Sequence, residues 1–316
     1  MRFVPYPETE ALPNIIVDGP RNAATAIALS HWARSGTPPE LRADTSTEIV
    51  FNYFDHPRFR VQAEAASNNH FDEDGLLGIF ALLDPATGER HRDLLIDTSR
   101  AGDFDVYRSR DAARIAFVLA AYSDSDTSPL PARIFQLPYP SQTAELYVHV
   151  LELLPQLLTD PGRFRSYWED EDRTLTEHEA LLEKGLITIE ERPDLDLAVV
   201  RAPEGIGRCH RYAIHSRTER SRVATIQGDR LEFHYRYEGW VQMASRRPLL
   251  RVDLSSLVDE LNLEQPAGRW VFDDVESIIP RLRLEGDAPP AVPADAVLKR
   301  IEHHLRIGAP AWNPYG

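Results

Sequence analysis

The 316-residue chain contains one cysteine, Cys209, and two lysines, Lys184 and Lys299. A lone cysteine closes no internal disulfide, which points to a reducing, cytoplasmic setting. With so little lysine, the positive charge is almost wholly arginine, and acids outnumber it for a formal net charge of −15. Such a surface argues against a protein that coats long duplex nucleic acid, because phosphate repulsion must be overcome. A small phosphorylated ligand held by a few arginines remains compatible with it. No apolar run approaches the roughly 20 residues of a membrane helix, so no membrane partner is expected. The start, "MRFVPYPETEALP", lacks the apolar core and small-residue cleavage site of a signal peptide. Gly-x-Gly-x-x-Gly, Walker-type and nucleophile-elbow motifs are absent too, which leaves dinucleotide, ATP-motor and serine-hydrolase readings without support.

Apolar residues make up 42% and charged residues 27% of the chain, a balance that suits a folded globular protein. "NIIVDG" and "TAIALSHW" are short apolar runs bounded by turn residues and read as strands. Ser46-Thr47-Glu48, followed by Ile49, Val50, Tyr53 and Phe54, reads as a capped amphipathic helix stopped by Pro57. "RFRVQAEAAS" alternates like a strand, while "GLLGIFALLD" (closed by "DPATGE") and "RDAARIAFVLAAYSD" are helical. Strand, helix, strand, acidic turn, helix is the order of a parallel α/β sheet. Residues 124–143 are proline-rich and read as a surface crossing; "AELYVHVLELLPQLLTD" and "TLTEHEALLEKG" follow as helices. From residue 186 the texture turns to strands, including "LITIEER", "LDLAVVRA", "HRYAIHS" and a hairpin with its turn at "QGDR", before a final helix "ADAVLKRIEHHLRIG". The expected fold is therefore α/β, with a largely parallel N-terminal sheet flanked by helices and a strand-rich α+β C-terminal half. The expected division is 1–123, a crossing and helical segment at 124–185, and 186–316.

The chemistry concentrates in "SNNHFDEDGLLG". His70, Asp72 and Asp74 alternate before Gly75, after a strand and before a helix, where parallel sheets bind their ligands. Mixed imidazole and carboxylate donors favour a transition metal, manganese first, over magnesium or calcium. An EF-hand loop is excluded, because its twelfth position requires a glutamate and here holds Ala81. The competing reading is that Asp72 or Asp74 only caps the helix. "LLIDTSRAGDFD" offers Asp97, Asp103 and Asp105, with Asp103 favoured by its neighbour Gly102. His31, at the end of "AIALSHW", is a further candidate, as ligand or general acid; Asp44 and Asp55 read as capping or turn residues.

"NHFDEDGLLG" resembles the first motif of the DHH-type phosphoesterases, in which a strand ends in a His-x-Asp-x-Asp-Gly turn. That superfamily includes manganese-dependent inorganic pyrophosphatases and exonucleases acting on single strands or short oligonucleotides. Its Asp-His-His motif and following helix are similar to "LSHWARSGTPPELRADTSTEIVFNYF", with Ser30-His31-Trp32 in place of Asp-His-His. The two motifs stand in reversed order, as after a circular permutation, and the family's C-terminal Gly-Gly-Gly-His motif is absent. As a whole, the chain resembles an uncharacterised bacterial family sharing the "LSHW", "DTSTEIVF", "NNHFDEDG" and "AGDF" blocks.

The resemblance implies a metal-dependent hydrolase of a phosphoester or phosphoanhydride. His70, Asp72, Asp74, Asp103 and His31 would hold the divalent metal, and His31 and Asp74 would carry the catalysis. Two metals bridged by a carboxylate would serve in-line attack at phosphorus. Arginines of the C-terminal half, Arg246 and Arg247 among them, would bind a small phosphorylated substrate or short oligonucleotide. The alternative is a non-catalytic metal- or ligand-binding accessory protein. Cys209 reads as a buried inert thiol, and His210 and His215, taken as strand residues, would face opposite ways.

Overall fold

The computed structural model describes residues 1–316, which form two compact units, 1–174 with 243–245, and 175–242 with 246–316. In the first unit the short apolar runs become strands β1 (Arg2–Phe3), β2 (Asn14–Val17) and β3 (Thr25–Leu29). Helix α1 (Ser46–Asp55) follows, with Thr45 as its cap accepting from Glu48 N at 3.2 Å. Next come β4 (Ala65–Ser67) and α2 (Glu73–Leu83). The alternating stretch before β4 is mostly not strand: Pro57 opens a short 3-10 turn over Pro57–Phe59, and only three residues reach the sheet. The "DPATGE" segment is itself helix α3 (Pro85–Arg90), because Asp84 accepts from Thr87 N and Pro85 suits the first turn. Helices α4 (Arg92–Phe104), α5 (Arg110–Ser123) and α6 (Tyr139–Thr159) follow, and the helical run ends in α7 (Arg165–Glu183), whose residues from 175 onward belong to the second unit.

All four strands pair in parallel, in the order β1-β4-β2-β3. Strand β2 is buried at every position, as expected of a central parallel strand covered on both faces. Helix α2 lies close against it: a methyl at Gly78 would stand 2.7 Å from Val17 Cγ1. Because β2 lies between β4 and β3, the three loops leaving their carboxyl ends are neighbours.

The second unit is built on β5 (Thr188–Arg192), β6 (Leu197–Ala202), β7 (Arg222–Gln227), β8 (Arg230–Tyr235), β10 (Arg269–Phe272) and β11 (Arg281–Glu285). Between them fall helix α8 (Arg211–His215), strand β9 (Arg251–Val252) and helix α9 (Ser255–Glu264). Helix α10 (Ala294–Ile307) and β12 (Pro310–Trp312), paired with β9, close the chain. The six-stranded order is β10-β11-β8-β7-β6-β5, antiparallel except for β6–β7. Gly228 and Asp229 form the two-residue hairpin loop between β7 and β8, with Gly228 at φ 61°.

Leu231, Phe233 and Tyr235 alternate onto one face and share a core with Leu257 and Leu261 of α9 and Val297 and Ile301 of α10. The opposite face carries Ala198, Val200 and Val223 against Ile187, Cys209 and Ile214. "HRYAIHS" is thus a helical turn and not a strand. His210 Nδ1 accepts from Tyr212 N at 3.2 Å, and four consecutive residues, Tyr212–His215, are buried, which an alternating strand on a one-sided sheet would not allow. No helix is long and apolar enough to cross a membrane.

Candidate metal centre

Three neighbouring parallel strands deliver the polar side chains. Strand β2 ends at Val17, and Asp18 follows in a left-handed backbone conformation with φ 50°. Strand β3 is followed by Ser30 and His31, and β4 leads through Asn68 to His70, Asp72 and Asp74. Because β2 is central, Asp18 stands between the two imidazoles. Its Oδ1 lies 3.2 Å from His31 Nε2, and its Oδ2 lies 3.2 Å from His70 Nε2.

Each imidazole is fixed from behind. His31 Nδ1 donates to Asp44 O at 2.5 Å, and His70 Nδ1 meets Asn69 Oδ1 at 3.1 Å. Both Nε2 atoms therefore face the acids, the arrangement by which outer hydrogen bonds orient a metal-ligating histidine. Asp44 is itself anchored, its Oδ1 accepting from Ala244 N (2.9 Å) and Ser245 N (2.8 Å). The Trp32 ring packs 5.2 Å from that of His70.

Asp72 divides its two oxygens. Oδ1 caps α2 by accepting from Gly75 N at 2.8 Å, while Oδ2 lies 2.9 Å from His70 Nε2. Capping and clustering are thus both satisfied by one side chain. Asp74 is fully buried and accepts from Ser46 N (2.6 Å) and Thr47 N (2.7 Å), the first amides of α1. Its Oδ2 lies 3.9 Å from His31 Nε2, and Asp103 Oδ2 lies 3.7 Å from the same nitrogen. Asp103 reaches in from α4 because Gly102 lets that helix press on Glu73; a methyl there would stand 2.7 Å from Glu73 Cβ. Its neighbours in sequence do other work. Asp97 accepts from Arg108 N and Ser109 N at the start of α5, and Asp105 ends α4 in a left-handed conformation.

His31, His70, Asp72, Asp74 and Asp103 are thus brought together, and Asp18, which no sequence motif singles out, joins them. Two sets of donors can each surround an ion, Asp18 with His70 and Asp72, and Asp18 with His31 and Asp74. Arg246 and Arg247 belong to the second unit, where Arg246 Nη2 lies 3.3 Å from Glu238 Oε1 and Arg247 stacks 4.6 Å from the Tyr315 ring centre.

The electrostatics fit cations. Asp103 Oδ2 is buried and accepts no hydrogen bond, which is costly for a carboxylate that neither a cation nor a proton meets. Burial, then the charges of Asp74, Asp72, Asp18 and Glu73, push Asp103 well above the usual carboxylate range. Burial and Asp18 push Asp74 up to about 6 against the opposing pull of His31. Burial alone would lower both imidazoles, but Asp18 and Asp74 raise His31 to about 9, and Asp72 and Asp18 raise His70 to about 11. Burial would also raise Asp18, yet the two histidines beside it hold it far below the ordinary value.

These shifts set a pH dependence. A group raised on folding contributes stability below its unfolded pKa and loses it as pH climbs through the folded one. The metal-free protein should lose stability between about pH 4 and 6 through Asp74, and between about 6.5 and 9 through His31. A metal held here would have to displace imidazole protons, so its binding would strengthen over the second interval. The rise in melting temperature on adding Mn²⁺ should therefore grow from pH 6.5 to 9. Thermal unfolding at stepped pH, with and without the ion, measures it; a gain that shrinks with pH contradicts these proton positions.

No curated protein and no solved structure matches the chain significantly. A family model does, over residues 1–316: the chain belongs to the family of unknown function DUF6687.

Proposed function

We propose that the first unit is a metal-dependent hydrolase of a small phosphoester or phosphoanhydride. The observation that supports it is Asp18, one carboxylate shared between two donor sets. In this reading Asp18 would serve both sites, with His70 and Asp72 holding one cation and His31, Asp74 and Asp103 the other. Paired divalent cations, manganese first on this mixed donor set, would supply an ionised water and neutralise charge on the phosphoryl oxygens. The chain's own part is to hold that geometry. Asp44 and Asn69 fix the imidazole orientations, and the amides of Ser46 and Thr47 clamp Asp74. The His-x-Asp-x-Asp-Gly turn supports the same reading through its resemblance to the DHH-type phosphoesterases.

A second reading is a binding protein without catalysis, and Trp32 favours it. It stands where the resembled family carries a histidine, and its ring packs against His70. Metal analysis of wild type and of an Asp72→Ala, Asp74→Ala variant comes first, followed by a panel of phosphomonoester, phosphodiester, pyrophosphate and short oligonucleotide substrates. The hydrolase reading expects manganese, iron or zinc in wild type only, with turnover of one substrate class. Bound metal with no turnover supports the binder. No metal, and no thermal shift on adding any, ends the hydrolase reading and leaves the second only as a binder of some other ligand.

A further inference from the structure

We propose that the cavity in the second unit is a binding site for a small organic anion, a phosphate- or carboxylate-bearing molecule with an apolar body. The site is independent of the metal cluster and of the reaction proposed for it.

The cavity, open to solvent on one side, holds about 230 Å³ beside β7, β8 and the segment leading into α8. That is room for a ligand of on the order of ten non-hydrogen atoms, and too little for a polymer. The cross-strand register sets Thr225 opposite Glu232 and Gln227 opposite Arg230, so these side chains share one face. Cys209, Ile214, Trp270 and Leu284 supply apolar surface.

The charged lining is what departs from the rest of this acidic chain. Arg208 and Arg230 line the cavity, with Arg211 beside them held by contacts of its own. The one acid among the lining residues, Glu232, is shared: its Oε1 meets Arg208 Nη2 at 2.9 Å and Arg281 Nη2 at 2.8 Å. Two guanidinium groups on one carboxylate leave net positive charge. Arg230 donates to Gly286 O and Ala288 O, both at 3.2 Å, and carbonyls cancel none of its charge. Arg283 also lines the space, but its one guanidinium faces two carboxylates, Asp273 and Glu285, which offsets the excess at Glu232 and leaves Arg230 as the charge that no acid meets.

Two further groups fit an anion. Trp270 is 1% exposed, and its indole N–H is a buried donor that meets no acceptor. A ligand oxygen would satisfy it. His215 and His234 also line the cavity, their Nε2 atoms 3.2 Å apart. Burial first, then the charges of His215, Arg211, Arg236 and Arg208, hold His234 far below the ordinary imidazole range.

The test uses the full chain and three probes of suitable size: phenyl phosphate, benzoate and the neutral benzyl alcohol. Isothermal titration is run on wild type, on Arg208→Gln/Arg230→Gln, on Thr225→Trp, which fills the space, and on Asp18→Asn. Circular dichroism confirms folding. Benzoate should bind wild type and Asp18→Asn equally, weaken by about tenfold or more in the arginine double variant, and be lost in Thr225→Trp. Phenyl phosphate should do the same when the two cavity variants are made in the Asp18→Asn background, where the metal cluster cannot take it up. Whichever of phosphate or carboxylate binds tighter names the head group. Failure of both anions to bind at about 10 mM, or benzyl alcohol binding as well as either, would overturn the proposal. Because Asp18→Asn removes the metal bridge alone, failure of the metal reading and failure of this one are separately visible.

Discussion

If the first unit is the metal-dependent hydrolase proposed above, an Asp18→Asn protein is expected to bind no divalent metal and to lose about 10³-fold or more of the phosphoester hydrolysis. The size comes from position. Each oxygen of Asp18 faces a different imidazole, and both donor sets require it. Replacing one oxygen by an amide nitrogen removes a ligand from one set and the negative charge from both. Asparagine tolerates the left-handed backbone found at residue 18, with its φ of 50°, so the turn itself should survive. Metal content, measured beside hydrolysis on whichever substrate the panel identifies, separates this from a folding defect. Full metal occupancy in the variant would remove Asp18 from the bridge.

The largest stability effect is expected in the second unit, at Arg251. Its side chain is fully buried, and its guanidinium donates to four carbonyls: Val275 (3.1 Å), Ser277 (2.6 Å), Ile278 (2.8 Å) and Arg236 (3.2 Å). Burial lowers Arg251 to about 10, which still leaves it charged at neutral pH. Arg251→Ala unties the partly buried Val275–Ile278 loop, leaves the buried Arg236 carbonyl unpaired and opens a cavity, and should cost about 3–5 kcal/mol in urea unfolding. Arg251→Met refills much of the volume but satisfies no carbonyl, so it should recover only part of the loss. Complete recovery by methionine would mean that packing, and not hydrogen bonding, holds this segment.

Much of the first unit is legible in the sequence because its signals are local. The apolar runs, the capped start of α1 and the His-Asp turn before α2 each declare themselves within a dozen residues, and their order gives the parallel sheet. Asp18 does not. A single acid in "VDG" has the look of any turn, and its meaning depends on β2 lying between β4 and β3, a fact about pairing that no short window contains. Helix α8 escapes detection because "HRYAIHS" alternates like a strand, while its five residues follow a histidine cap and pack as a turn. Helix α9 is equally hidden although Leu254, Leu257 and Leu261 have helical spacing, since the surrounding strands set the expectation. The arginines of the second half are visible as residues. Which of them surround a cavity is not, because that depends on which strand faces stay uncovered.

Met243–Ser245 pack with the first unit although the chain has by then passed through residues 175–242. Two of their amides hold the Asp44 carboxylate, and the Asp44 carbonyl holds His31. During synthesis the ribosome must therefore deliver a large part of the second unit before the support behind His31 can be completed. A fragment ending near residue 174 would carry all six clustered side chains and still lack that brace.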